Sequence, residues 1–218
     1  MSSRIGKSFV FGGLALGATA MQQGQQAFGA TLAGWTFESL AFSGATGPSA
    51  ATAATVGAIP ADVGSGSAFG RHASATSVWS TPVGNGSTKS MSSNGWGTNG
   101  DNYEFQTSST GFQDLIVGWD QMRSSTGPSA FDLAYSTDGT TFTSFASYTV
   151  ACTAWSSTSV NNTTANTQFS FDLSAIASIE NAANVYFRMR SNGTNSTGGT
   201  IASAGTNRVD NVFVTASE

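Results

Sequence analysis

The chain has 218 residues, 9% of them charged, a formal net charge of −4 and a single cysteine, Cys152. Its eight basic residues are scattered singly, so the Lys/Arg cluster of a nucleic-acid binder is missing, and one cysteine excludes an internal disulfide and a cysteine-built metal cluster. What remains is a polar, largely uncharged surface rich in Ser, Thr, Gly, Asn and Ala, on a chain long enough for one domain with a full core.

Arg4 and Lys7 precede an apolar run of small residues, Phe9 to Ala20, followed by Gln22, Gln23, Gln25 and Gln26. A basic start, a short apolar run and small residues at a cleavage point predict a secretory signal peptide over residues 1–29, cut after Ala20 or after Gly29. The run is too short for the roughly 20 residues of a membrane span. The expected product is an acidic domain over 30–218, extracellular and without a membrane partner once the leader is gone.

Trp35-Thr36-Phe37-Glu38 predicts a first strand, whereas 42–56 holds too few large apolar residues for core and reads as a loop or weak edge. Short strands follow at Ala68 to His72 and around Val78 and Trp79, and Asn-Gly pairs at 85, 94 and 99 mark turns. Tyr103, Phe105 and Thr107 alternate with polar neighbours. The densest signal lies between Asp114 and Phe145. Leu115, Val117 and Trp119 alternate, Gly127-Pro128 breaks the run, Phe131, Leu133 and Tyr135 alternate again, and Asp138-Gly139 predicts a two-residue type I′ turn into a further strand. Three consecutive strands would set Asp120 and Asp132 on neighbouring ones. Beyond a polar loop from Trp155, strands are expected at 169–173, 185–189 and 208–216, with helical spacing only at Ile176, Ile179 and Ala183. This is an all-β chain, a two-sheet antiparallel jelly-roll β-sandwich with one short helix.

One histidine and no G-x-S-x-G elbow leave hydrolase chemistry without its usual parts. His72 reads as a strand-edge histidine hydrogen-bonded near Arg71, because a catalytic triad needs convergent partners the sequence does not indicate. A retaining glycosidase needs two carboxylates about 5 to 5.5 Å apart, and solvated sheet positions explain Asp120 and Asp132 equally well. The large rings are Trp79, Trp96, Tyr103, Trp119 and Trp155. Trp119 is expected in the core, Cys152 as a small buried residue, and Trp96 and Trp155, in Gly/Ser/Thr-rich loops, as exposed rings on which a sugar stacks. Ca²⁺ takes about six to eight oxygens from carboxylates and carbonyls. Glu38 ends the first strand and Asp210 lies in the last, Asp62 adds a carboxylate, and Gly64 lets a carbonyl turn inward. The competing reading pairs Asp210 with Arg208 or Arg71 and leaves Glu38 solvated.

AGWTFE at 33–38, the stretch HASATSVWSTPVGNGS from His72, NGW at 94–96, STGPSAFDLAYSTDGTTFTSF from Ser125, FDLSAI from Phe171, VYFRMR from Val185 and TNRVDNVFV from Thr206 together resemble secreted bacterial jelly-roll proteins of the PEP-CTERM-associated type. The sorting tail of that family is not found after Val214, which implies a released protein. W-x-F-E and R-V-D-N-V are also similar to the first and last strands of MAM domains and family 4 carbohydrate-binding modules, and the latter likeness implies calcium at Glu38 and Asp210. The resemblance implies non-catalytic binding of an extracellular polysaccharide or surface glycan. Its rival is a structural or adhesive component of a cell-surface or matrix layer, with a glycan-degrading enzyme third.

Overall fold

The computed structural model describes residues 29–42, 50–160, 165–193, 195–196 and 199–218. The expected leader thus lies outside the described residues, save for Gly29. The strands are β1 (Ala30–Trp35), β2 (Ala50–Thr52), β3 (Thr55–Pro60), β4 (Val63–Gly64), β5 (Gly66–Arg71), β6 (Val78–Ser80), β7 (Met91–Ser93) and β8 (Asn102–Thr107). There follow β9 (Gln113–Arg123), β10 (Ala130–Ser136), β11 (Thr143–Thr149), β12 (Gln168–Asp172), β13 (Val185–Ser191), β14 (Asn195–Ser196), β15 (Gly199–Thr200) and β16 (Asn207–Ser217). The expected short helix is a single 3-10 turn, Ala177–Ile179.

Two antiparallel sheets carry the fold. One runs β12-β9-β16-β7-β6-β2, with β1 on β16 and β4 on β1; the other runs β11-β10-β13-β8-β5-β3. The long β16 pairs with β9 along one side, and on the other with β7 at Asn207 to Val209 and β1 from Val212 to Ala216. The first and last strands are therefore neighbours. Alternation places one set of large side chains between the sheets: β13 buries Val185, Phe187 and Met189 while Tyr186, Arg188 and Arg190 point outward, and β9 buries Leu115, Val117 and Trp119. Trp35 meets Phe105 edge-on at 5.1 Å across this layer. Gly70 is needed where it stands, because a Cβ there would come within 2.1 Å of the Trp79 ring.

Three local expectations change. β9 and β10 are consecutive but lie in different sheets, since β9 pairs with β12 and β16 while β10 pairs with β11 and β13, so Asp120 and Asp132 are not neighbours. The β10–β11 connection covers 137–142, and the Asp138 carboxylate organises it by accepting the N–H of Thr140 and Thr141 at 2.8 and 2.7 Å, which replaces a two-residue turn. The first strand ends at Trp35, because Phe37 takes a left-handed φ of 60° and turns the chain away.

Candidate functional site

Neither expected sugar-stacking ring is at the surface. Trp96 is 1% exposed; its Nε1 donates to the Ser93 carbonyl at 2.9 Å, and its ring packs against His72, Tyr103 and Phe131. The loop that carries it folds back so that the ring fills the end of the sandwich. Trp155 is 7% exposed, and its buried Nε1 has no partner among the described residues. The reason is common to both: a small-residue loop packs closely enough to press its one large ring inward. Cys152, expected buried, is exposed. His72 sits between the Trp79 and Trp96 rings, Nδ1 at 2.9 Å from Ser77 Oγ and Nε2 at 3.3 Å from Ser93 Oγ, with no carboxylate on either nitrogen among the described residues. Burial pushes its pKa down to about 4, so the ring stays neutral and serves the core.

The four residues expected around calcium are split. Asp62 spends both carboxylate oxygens on the turn after β1: Oδ2 accepts the N–H of Thr36 and Phe37 at 2.7 and 3.2 Å, and Oδ1 accepts from Ser39 Oγ at 3.1 Å. Gly64 lies in β4, hydrogen-bonded into the sheet opposite Ala33. Glu38 and Asp210, by contrast, hold the same loop. Glu38 accepts from Lys89 N at 2.8 Å and from the Thr88 hydroxyl, and Asp210 Oδ2 accepts from Asn85 N at 2.8 Å and Ser87 Oγ at 2.6 Å. Asp210 does not pair with Arg71, which binds Glu104, nor with Arg208, whose Nη1 reaches the Val83 carbonyl at 3.5 Å.

The residue that joins Asp210 is Asp120, directly opposite it on β9. Both lie on the outer side of their sheet, yet they are 0% and 5% exposed, and the loop over Asp210 is tied down where Gly86 N donates to the Ser156 carbonyl at 2.8 Å. Asp120 Oδ2 accepts from Asn85 Nδ2 at 3.0 Å and Asn211 Nδ2 at 2.8 Å. Among the described residues every hydrogen-bond donor to the pair is neutral, and burial raises both carboxyls, Asp210 to about 7. Such a pair needs a proton or a cation. Carboxylate and carbonyl oxygens are the donor set calcium prefers, although the described residues hold no group of three or more His, Cys, Asp or Glu placed to bind a metal.

The outer side of the six-stranded sheet has a different character. Its middle strands align polar side chains in cross-strand rows: Asn102 of β8 lies opposite Arg71 and Arg190, Glu104 opposite Phe69 and Arg188, and Gln106 opposite Ser67 and Tyr186. Glu104 holds both neighbours. Oε1 accepts from Arg71 Nε and Nη2 at 3.1 and 2.7 Å, and Oε2 from Arg188 Nε at 2.7 Å. Asp132 likewise binds Arg190 through Nε at 3.1 Å and through Nη2, and Ser144 Oγ joins them at 2.9 Å from Asp132 and 2.6 Å from Arg190. Arg188 also lies over the Phe142 ring, 3.7 Å from its centroid.

Two clefts open among the described residues, one of them on this face. The larger, about 550 Å³, is lined by Ser74, Thr76, Asn94, Gly95, Gly97 and the 201–204 segment, with no charged group. The smaller, about 260 Å³, contains the Asp132–Arg190–Ser144 network together with Asn99 and Asn192. Size favours the first and chemistry the second; fixed, planar donors and acceptors confer specificity, so the second is the better candidate site. The sequence does carry its signal, since residues 186, 188 and 190 of an alternating strand read Tyr, Arg, Arg on one face, but the partner carboxylates stand on other strands.

No family model matches the chain, and neither does any curated protein. Among solved structures it is similar to the K3 cleaved adhesin domain of Lys-gingipain from Porphyromonas gingivalis w83, at 16% identity over 62% of this chain and 78% of that one, with a TM-score of 0.39. It is similar also to the CBM22-1 xylan-binding domain from Paenibacillus barcinonensis Xyn10C, at 10% identity over 87% and 96% of the two chains, TM-score 0.45. A third is Xylanase10C (mutant E385A) from Cellvibrio japonicus in complex with xylopentaose, at 13% identity over 73% of this chain and 29% of that one, TM-score 0.44. At such scores the sites of those proteins are not carried over to this chain.

Proposed function

We propose that the protein is a secreted, non-catalytic glycan-binding β-sandwich whose sugar site is the outer side of the six-stranded sheet, centred on the Asp132–Arg190–Ser144 cleft. The observation that carries this reading is the fixed polar network there. A sugar hydroxyl both donates and accepts, and the site offers guanidinium donors, carboxylate and hydroxyl acceptors, and the amides of Asn99 and Asn192 within one cleft. Arg190 is held in place by its own ion pair, which lowers the ordering cost of binding. Export rests on the leader-like residues 1–29, and no helix among the described residues is long and apolar enough to cross a membrane. The test is a glycan array probed with residues 30–218: retention on a defined set of polysaccharides supports the reading, whereas a blank array beside spontaneous filaments supports the rival role in a surface or matrix layer.

Calcium is proposed as a stabilising ion at Asp210, with Asp120 as the carboxylate opposite and Glu38 on the same loop. The ion would supply the positive charge that this buried pair lacks, and it would tie the last strand to the loop at 84–89. In thermal unfolding at pH 8, millimolar calcium is expected to raise Tm relative to chelator, through a mass-action term of about 2.7 kcal/mol at a hundredfold excess over Kd, and Asp210→Ala is expected to abolish the difference. Superimposable curves for the wild-type protein in the two buffers would remove calcium from the account.

A further inference from the structure

Resting on that reading of the site, we infer that the glycan it takes is acidic, a polysaccharide bearing carboxylate groups such as uronic acids. The chain as a whole is acidic, at −4, yet of the six basic residues in its described part three, Arg71, Arg188 and Arg190, stand on this one sheet face. The other three are turned to backbone: Lys89 Nζ donates to the Leu40 carbonyl at 2.9 Å, Arg123 Nε to Val150 at 2.8 Å, and Arg208 Nη1 to Val83 at 3.5 Å.

Depth decides the sign of the surface. The two carboxylates of the face lie beneath, with Glu104 and Asp132 side chains 3% and 8% exposed, whereas the guanidinium-bearing side chains above them are 37%, 22% and 23% exposed for Arg71, Arg188 and Arg190. An approaching ligand therefore meets cations first. Each guanidinium engages its carboxylate through Nε and Nη2 and makes no hydrogen bond through Nη1 among the described residues, so an N–H edge remains on each for a second anion. The ion pairs fix the spacing of these edges before any ligand arrives. Row alignment sets Arg71 and Arg190 on either side of Asn102, two strands apart. The acid on the adjoining β10–β11 connection, Asp138, is fully exposed and keeps its carboxylate on the N–H groups of that turn.

The test is native affinity electrophoresis with polygalacturonate or xylan cast in the gel. The protein and polygalacturonate are both anionic, so general charge opposes retardation and only a local cationic face produces it. Retardation by polygalacturonate and none by xylan at equal mass, weakening as salt is added, is the expected result. Arg190→Gln is expected to weaken it about tenfold, the loss of one charge-assisted hydrogen bond. Because that change strips Asp132 of its cation, Arg71→Gln serves as the second variant: Glu104 keeps Arg188, and a similar loss with an unchanged melt is expected. Retardation by xylan alone overturns acid selectivity and leaves the glycan reading standing, and no retardation by any polysaccharide overturns both. Polygalacturonate retarding wild type and a folded Arg71→Gln equally overturns the assignment to this face.

Discussion

Trp96→Ala is expected to cost about 3 to 5 kcal/mol of folding stability, the range for deleting a buried tryptophan. The ring is 1% exposed and closes one end of the core on His72, Tyr103 and Phe131, so its loss leaves a cavity that those rings cannot collapse into. It also removes the Nε1 bond to the Ser93 carbonyl beneath them. Chemical denaturation measures the cost through a lower midpoint at unchanged slope. Glycan affinity, measured below the unfolding transition, is expected to stay at the wild-type value. A variant of wild-type stability that no longer binds sugar would put Trp96 back in a ligand site.

The second large effect concerns pH. Asp210 is fully buried, and its folded-state pKa is pushed up to about 7 by burial from an ordinary 3.8, so between these values the folded chain holds more protons than the unfolded one. Stability is then complete below about pH 4 for this group and falls as pH rises through about 7. Each unit of difference corresponds to about 1.4 kcal/mol, for a total on the order of 4 kcal/mol in chelator, of which about 3 kcal/mol falls between pH 5 and pH 8. Asp120, raised for the same reason, adds to the slope. Urea titrations at pH 5 and pH 8 in chelator measure it directly, and Asp210→Asn is expected to flatten the curve. Stability that rises from pH 5 to pH 8 without any added ion would contradict a desolvated, unpaired Asp210. Calcium at pH 8 is expected to restore most of the loss, because the ion replaces the proton.

How much of this was legible in the sequence follows the range of the interactions. Period-two alternation is local, and it locates β8, β9, β10, β12 and β13 from their large residues. The pairing of those strands is not local. No residue between Trp119 and Phe131 marks the crossing from one sheet to the other, so the sequence suggests Asp132 as the neighbour of Asp120, whose partner is Asp210, 90 positions further on. Loop composition misled for Trp96 and Trp155, because small residues that suggest exposure also allow a loop to pack tightly over its one large ring. The sequence suggests Glu38 and Asp210 as ligands of one ion; pairing of the first and last strands brings both to the loop at 85–89, which no local pattern indicates. Asp62 was not separable from them, since capping a turn by accepting its N–H groups demands the same oxygens as holding a cation. The arginine face was hidden for a further reason: Glu104 and Asp132 look like ordinary solvated carboxylates until the neighbouring strands set a guanidinium over each.

Backbone amide chemical-shift mapping of isotopically labelled residues 30–218 during titration with a bound oligosaccharide locates the glycan site. Shifts are expected to concentrate at Asn99, Gly100, Asp132, Ser144, Arg190 and Asn192, with Tyr186 and Arg188 following along the face and Trp155 unmoved. Shifts confined to Ser74, Thr76, Asn94 and residues 201–204 would place the sugar in the larger uncharged cleft and contradict a site on the six-stranded sheet.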